Sequence, residues 1–155
     1  MLYNRDVKKE VKDMMISSKG RYALRVMLDM AEHSDDGFLR LSDISERQNI
    51  SRKYLESIMN LLCKADLVES AVGKTGGYKL VKSADDYSVG EILRAAEGEL
   101  VPVSCLAADG KKCGEVCTCY TLPFWRGLEA HINDYIDNYT LGGLLSEKRN
   151  AQHKI

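Results

Sequence analysis

The sequence predicts a mainly α fold carrying one small β-hairpin, and three observations predict it. Several stretches repeat apolar residues at the i, i+3, i+4, i+7 spacing of an amphipathic helix. Two short β-favouring runs flank the turn-forming sequence Gly73-Lys74-Thr75-Gly76-Gly77. Near the C-terminus one long apolar stripe begins just after Pro123, in a chain too small to cover it fully. The expected architecture is a winged helix-turn-helix followed by a long C-terminal helix.

Each element has its own local reason. Residues 1–14 carry no convincing periodicity and are expected to be a flexible N-terminal extension. Ser17 or Ser18 caps a first helix to about Glu32, with Tyr22, Ala23, Val26, Met27 and Met30 at helical spacing. The polar run His33 to Gly37 is a loop. Ser42 is expected to cap a short helix ending near Gln48-Asn49, and Ser51 a second from Arg52 to about Lys64. In that second helix Leu55, Ile58, Met59 and Leu62 form one buried stripe. Two capped helices around a short turn have the shape of a helix-turn-helix, or of any small helical hairpin. The β-favouring runs Leu67–Val72 and Tyr78–Val81 decide between them, because a hairpin directly after a helix-turn-helix is a wing. In that arrangement the second helix enters the major groove of DNA and the hairpin reaches the backbone or minor groove.

Ser88 and Glu91 form a capping box for a helix to about Glu97, stopped by Gly98. Thr121 caps the long helix, with Pro123 in its first turn, where a missing N–H costs little. Phe124, Trp125, Leu128, Ile132, Tyr135, Ile136 and Tyr139 supply its apolar surface. That surface is expected to be a dimer interface, with packing against the first helix as the plain alternative. The expected organisation is a winged helix-turn-helix DNA-binding domain over 15–98, a cysteine-rich sensor loop over 99–121, a dimerisation helix over 122–145 and a flexible tail over 146–155.

Composition narrows the function classes. No apolar run approaches the roughly 20 residues that span a bilayer, and the first residues lack the apolar core of a secretory signal, so a cytoplasmic protein is expected. The net charge of −1 divides into +3 over residues 1–82 and −4 over residues 83–155, a weak bias of the front half towards a polyanion. No paired carboxylates or nucleophile–base set stands out, and His33, His131 and His153 are scattered, so an enzyme is not expected. Cys63 sits in a helical pattern and is read as a buried structural thiol. The other four cysteines fall within fifteen positions, Cys105 to Cys119, and in a cytosolic chain such thiols are better read as ligands or redox groups than as a disulfide framework.

Several motifs in order resemble one family. Ile16-Ser17-Ser18-Lys19-Gly20-Arg21-Tyr22-Ala23-Leu24, Ile44-Ser45-Glu46-Arg47-Gln48-Asn49-Ile50-Ser51, Tyr54-Leu55-Glu56, Gly76-Gly77-Tyr78, Val89-Gly90-Glu91-Ile92 and Pro123-Phe124-Trp125 are similar to the Rrf-two family of bacterial winged-helix regulators, of the IscR, NsrR and CymR type. The resemblance covers about residues 15–145. It implies a homodimer that binds a roughly palindromic operator in double-stranded DNA and regulates transcription, with a repressor, whose operator binding blocks expression, as the expected mode. In the cluster-binding members three cysteines hold an iron–sulfur cluster, and the matching residues are Cys105, Cys113 and Cys119, with Cys117 extra. Leu122 stands where the IscR type has a histidine fourth ligand, and Tyr22 where the NsrR type has an aspartate. The fourth ligand and the choice between a two-iron and a four-iron cluster are therefore open. Val72 stands where IscR places a minor-groove arginine, which leaves Lys74 at the wing tip for phosphate contact.

For the reader, Lys53 and Asn60 are expected to donate to base edges, and Glu56 to accept from a cytosine amino group. Ser51, Tyr54 and Ser57 suit phosphate or base contact, and Arg21, Arg47 and Arg52 are candidate phosphate clamps. The alternative for each is a solvated surface residue. For the thiols, iron–sulfur ligation ranks first. A zinc site of Cys105, Cys113, Cys117 and Cys119 ranks second, Cys-x-Cys being unusual for structural zinc, and metal-free redox or incidental thiols complete the set. Two functions follow: a dimeric, cluster-responsive regulator, or an interaction module controlled by a partner protein.

Overall fold

In the computed structural model, residues 16–108 and 118–152 are described. Among the described residues six α-helices run in the order α1 (Ser18–Glu32), α2 (Leu41–Gln48), α3 (Arg52–Lys64), α4 (Val89–Glu97), α5 (Leu122–Asn138) and α6 (Leu141–Gln152). Between α3 and α4 an antiparallel hairpin joins β1 (Val68–Ala71) to β2 (Gly77–Leu80), with Val68 opposite Leu80 and Ala71 opposite Gly77. The fold is the mainly α winged helix-turn-helix that the sequence predicts.

The core is where the amphipathic stripes meet. Val26, Met27 and Met30 of α1, all four stripe residues of α3, Ile92 of α4 and Leu141 of α6 are essentially inaccessible to water. Burying a side chain of this size stabilises by about 2 kcal/mol, so the four of α3 hold that helix firmly while leaving its polar face outward. Ser17 Oγ accepts from Lys19 N–H at 3.1 Å, as a helix cap should. A second acceptor comes from 80 residues away. Glu97, buried at the end of α4, takes Ser17 N–H at 2.9 Å, Ser17 Oγ at 2.6 Å and Gly20 N–H at 2.9 Å on one oxygen. A Cβ at Gly20 would press on that carboxylate, which is why glycine stands there.

Local departures from the sequence expectations have packing causes. Helix α2 begins at Leu41 after Arg40, so Ser42 lies inside its first turn and bonds Asp43 at 2.9 Å instead of capping. The chain is turned earlier because Leu39 and Tyr78 exchange two backbone hydrogen bonds of 2.8 Å, docking the wing on the segment before α2. Ser88 Oγ accepts from Glu91 N–H at 3.1 Å, but the Glu91 carboxylate pairs with Lys82 Nζ at 2.6 Å, so only half of the capping box forms. Thr121 stands at the N-cap of α5 without a capping bond from its side chain.

The long helix stops at Asn138, with Tyr139 as its extended C-cap, and the chain turns into α6, an element the sequence analysis did not assign. Residues 146–152, expected in a flexible tail, are helical in α6. Leu141 and Leu145 are buried in the same core as α1 residues, and Lys148 Nζ reaches Glu32 at 2.6 Å. Gly142 and Gly143 hide the helix from a propensity reading.

Candidate nucleic-acid interface and cysteine segment

The turn between α2 and α3 is built from backbone satisfaction. Asn49 adopts the left-handed conformation at φ 52°, which asparagine tolerates, and Ile50 N–H closes on Ser45 O at 3.1 Å. Ser45 Oγ returns to Ile50 O at 2.6 Å, so the buried Ile50 pins the turn from both sides. On the far side of α3, Ser51, Arg52, Lys53, Glu56, Ser57 and Asn60 are exposed. Ser51 Oγ also accepts from Tyr54 N–H at 3.4 Å, and Ser57 Oγ donates to Tyr54 O at 2.6 Å. Tyr54 is half-buried, its ring edge-on to Tyr22 with centroids 5.8 Å apart. The expected base-readers thus share one water-facing strip, and Tyr54 is its packed margin.

The arginines separate. Arg52 is exposed, and Arg21 is exposed with one guanidinium nitrogen 3.0 Å from Ser18 Oγ. Arg47 is different. Its guanidinium makes three contacts of 2.7, 2.9 and 3.2 Å to the carboxylate of Asp29, which is only 2% exposed. Gln48 Nε2 donates to the same carboxylate at 2.9 Å, and Arg25 Nη2 donates to Gln48 O at 2.7 Å. Arg47, expected as a phosphate clamp, is engaged as an anchor of α2 on α1. Sequence reasoning missed Asp29, although a carboxylate among Val26, Met27 and Met30 on the buried face was the available signal.

In the wing, Val72 is fully exposed and Lys74 exposed in the turn between the strands. Gly77, at φ 155°, lies so close to the Leu39 carbonyl that any side chain would overlap it. The open end of the hairpin is closed by Tyr87, another residue the sequence analysis passed over. Its hydroxyl donates to Leu67 O at 2.7 Å and accepts from Val81 N–H at 2.9 Å and Lys82 N–H at 3.2 Å.

The cysteine segment leaves α4 at Gly98, where Glu99 accepts from Ala108 N–H at 2.8 Å. Cys105 lies half-buried in a single helical turn, Ser104–Leu106. Cys119 lies half-buried ahead of α5, its sulfur 3.3 Å from Thr121 Oγ1; Thr121 itself has a helical backbone rather than the extended one of a capping residue. Cys113 and Cys117 lie outside the described residues, as does the expected extension over 1–14. Among the described residues no three or more His, Cys, Asp or Glu side chains are grouped to hold a metal ion. Leu122 is buried at the start of α5 and Tyr22 packs on Tyr54, so both candidate fourth-ligand positions are occupied by packing side chains. Cys63 is partly buried against the core, and burial pushes its thiol up, as suits a structural thiol.

Among the described residues helix α5 touches the rest of the chain mainly through α4. Arg94 pairs with Asp137 and donates to Asn133 at 3.1 Å. Of its residues only Leu122 is buried. Phe124 and Tyr135 are each 66% exposed, Trp125, Leu128, Ile132 and Ile136 are half-buried, and Tyr139 is half-buried at the C-cap. Among the described residues no helix is long and apolar enough to cross a membrane.

Comparison with known proteins bears on the same elements. Residues 16–147 match the family described as Rrf2, iron-dependent transcriptional regulator. The chain is 43% identical over 135 residues to the HTH-type transcriptional regulator IscR of Pectobacterium carotovorum subsp. carotovorum (strain PC1), covering 87% of this chain and 81% of that one. Among solved structures it is similar to T. potens IscR, with a TM-score of 0.71 at 34% identity over 89% of this chain and 90% of the other. It is also similar to CymR, the global cysteine regulator of B. subtilis, with a TM-score of 0.68 at 32% identity over 86% and 97% of the two chains.

Proposed function

The chain belongs to the Rrf2 (Rrf-two) family of transcriptional regulators, and from that premise we propose that it is a homodimeric repressor whose hold on a palindromic operator responds to an iron–sulfur cluster or thiol redox state in the Cys105–Cys119 segment. DNA-binding regulation, and not catalysis, is the activity its relatives carry by name. The observation that carries the reading is the division of labour in α3: four fully buried apolar residues fix the helix, and Lys53, Glu56, Ser57 and Asn60 all face water. A helix so held presents its polar strip to the major groove without rearranging. Lys53 and Asn60 donate to base edges, Glu56 accepts and repels misplaced phosphates, and Arg52, Arg21 and Lys74 meet the backbone.

Dimerisation is supported by the apolar side chains of α5 that one chain leaves uncovered, Phe124 and Tyr135 foremost. A second copy of the same face is the usual isologous solution. The working division is a reader over 15–98, a sensor segment over 99–121 and a dimerisation element from 122, in the cytoplasm.

The donor set fits a soft metal centre. Thiols are the ligands iron–sulfur clusters take, and Cys105 and Cys119 are both partly open to solvent rather than sealed in the core. Cys105, Cys113 and Cys119 would hold the cluster, with Cys117 as a fourth thiolate, since Leu122 offers no donor. When bound, the cluster supplies an oxygen- and nitric-oxide-sensitive centre. The chain itself supplies the connections: Glu99 ties the segment back on Ala108, and Glu97, at the end of α4, holds the start of α1. Anaerobic purification with absorption spectra and assays for iron, sulfide and zinc, followed by footprinting of the chain's own upstream region, tests the reading. Expected are a coloured protein and a protected palindrome, both the colour and its oxygen response lost in Cys105→Ala and Cys119→Ala. A colourless protein with one zinc per chain overturns the cluster, and the absence of any protected palindrome overturns the regulator.

A further inference from the structure

The residue that joins the wing to the dimerisation end of the molecule is Tyr87. It is inaccessible to water, in a single extended residue between the turn Ala84–Asp86 and Ser88. The strand ladder ends at the pair Val68–Leu80. Beyond it the two chains are held by the Tyr87 phenol, which bonds Leu67 O on the entering side and the amides of Val81 and Lys82 on the leaving side. Lys82 Nζ lies 4.7 Å over the same ring. The main chain at this residue faces the other way. Tyr87 O accepts from Leu141 N–H at 3.0 Å and Val89 N–H donates to Tyr139 O at 2.8 Å, making a small antiparallel bridge between Ser88 and Thr140. Tyr139 to Leu141 is the elbow between α5 and α6. One residue therefore takes the base of the wing on its side chain and the elbow on its backbone.

We infer that Tyr87 is a positioning residue for DNA binding, through which the α5–α6 elbow fixes the angle of the wing. Four residues of strand carry the tip about 13 Å from the base, so a tilt of about 10° there moves Lys74 by about 2 Å, enough to break a phosphate hydrogen bond. The Leu39–Tyr78 pair still holds one strand edge when the phenol is removed, so the wing loosens without leaving the domain. The inference rests on the proposed contact of Lys74 with the DNA backbone.

Tyr87→Phe keeps the ring and removes the hydroxyl. In the full-length protein, amide exchange at Val81 and Lys82 is expected to speed up by about tenfold or more, while that of Leu141 stays protected. Binding is read on a mixed-sequence duplex of about 30 base pairs across a salt series, where one lost phosphate contact lowers the log–log slope by about 1. Lys74→Ala should lose that contact, Tyr87→Phe much of it, and the double variant should bind no more weakly than Lys74→Ala alone. Unchanged exchange at Val81 and Lys82, or losses that simply add, overturns the inference. If Lys74→Ala leaves affinity and slope untouched, the contact of Lys74 with DNA is what fails, and accelerated exchange in Tyr87→Phe then still supports the anchor.

Discussion

Replacing Arg47 with alanine distinguishes an anchor from a clamp. The guanidinium makes three charged contacts to a carboxylate that is 2% exposed. Removing one partner of a buried ion pair costs about 3–5 kcal/mol because the other charge is stranded. Two features of this site lower the figure: the Arg47 side chain is 32% exposed, and Gln48 Nε2 still donates to Asp29 at 2.9 Å in the variant. A loss of about 2–3 kcal/mol is expected, which at a urea slope of about 2 kcal/mol/M moves the midpoint down by about 1–1.5 M. Urea denaturation at fixed protein concentration measures it, since the proposed dimer would make apparent stability concentration-dependent. Binding to DNA, measured well below the new midpoint, should keep its salt slope. Arg52→Ala is the control: its exposed side chain should cost under about 0.5 kcal/mol of stability while lowering affinity and slope. A stable Arg47→Ala with a slope lowered by about 1 would refute the reasoning and return Arg47 to the phosphate backbone.

Two further outcomes test neighbouring parts of the molecule. Burial pushes the Glu97 carboxyl up, but the bonds from Ser17 and Gly20 outweigh it and hold the group below the ordinary glutamate range. A lowered folded value stabilises above the unfolded pKa, and that contribution is lost as pH falls through the lowered one. Glu97→Gln should therefore be less stable than the parent at neutral pH and converge with it in acid, as read by denaturation across a pH series. Phe124→Asp places a charge on the open face of α5, and sedimentation should show the proposed dimer weakened by about 100-fold or more, with each protomer still folded.

Much of this fold is legible in the residues because its signals are local. Ser17, Ser51 and Ser88 each place a hydroxyl on the amide a cap requires, and the stripe Leu55, Ile58, Met59, Leu62 buries as its spacing says. The exposed strip of α3 follows from the same periodicity, since fixing the buried face fixes the other. Helix α6 was not legible. Two glycines open it, and it exists because Leu141 and Leu145 find a core formed by α1, far away in sequence. The roles of Arg47 and Tyr87 were hidden for the same reason. An arginine beside a helix-turn-helix and a tyrosine in a linker have ordinary surface readings until their partners are known.

The four thiols show the boundary from the other side. Four cysteines in fifteen positions point to ligand or redox chemistry by residue type alone. The sequence by itself determined the capped starts of α1, α3 and α4, the hairpin, the exposed strip of α3 and the family they belong to, because periodicity and capping act within a few residues. Only the tertiary structure decided which polar groups are engaged. Asp29 takes Arg47 from α2, Glu97 takes the start of α1, and the Tyr87 hydroxyl closes the wing. A buried polar group must find its partner wherever the fold brings one, and contacts spanning 18, 77 and 20 positions leave no periodic trace in the chain.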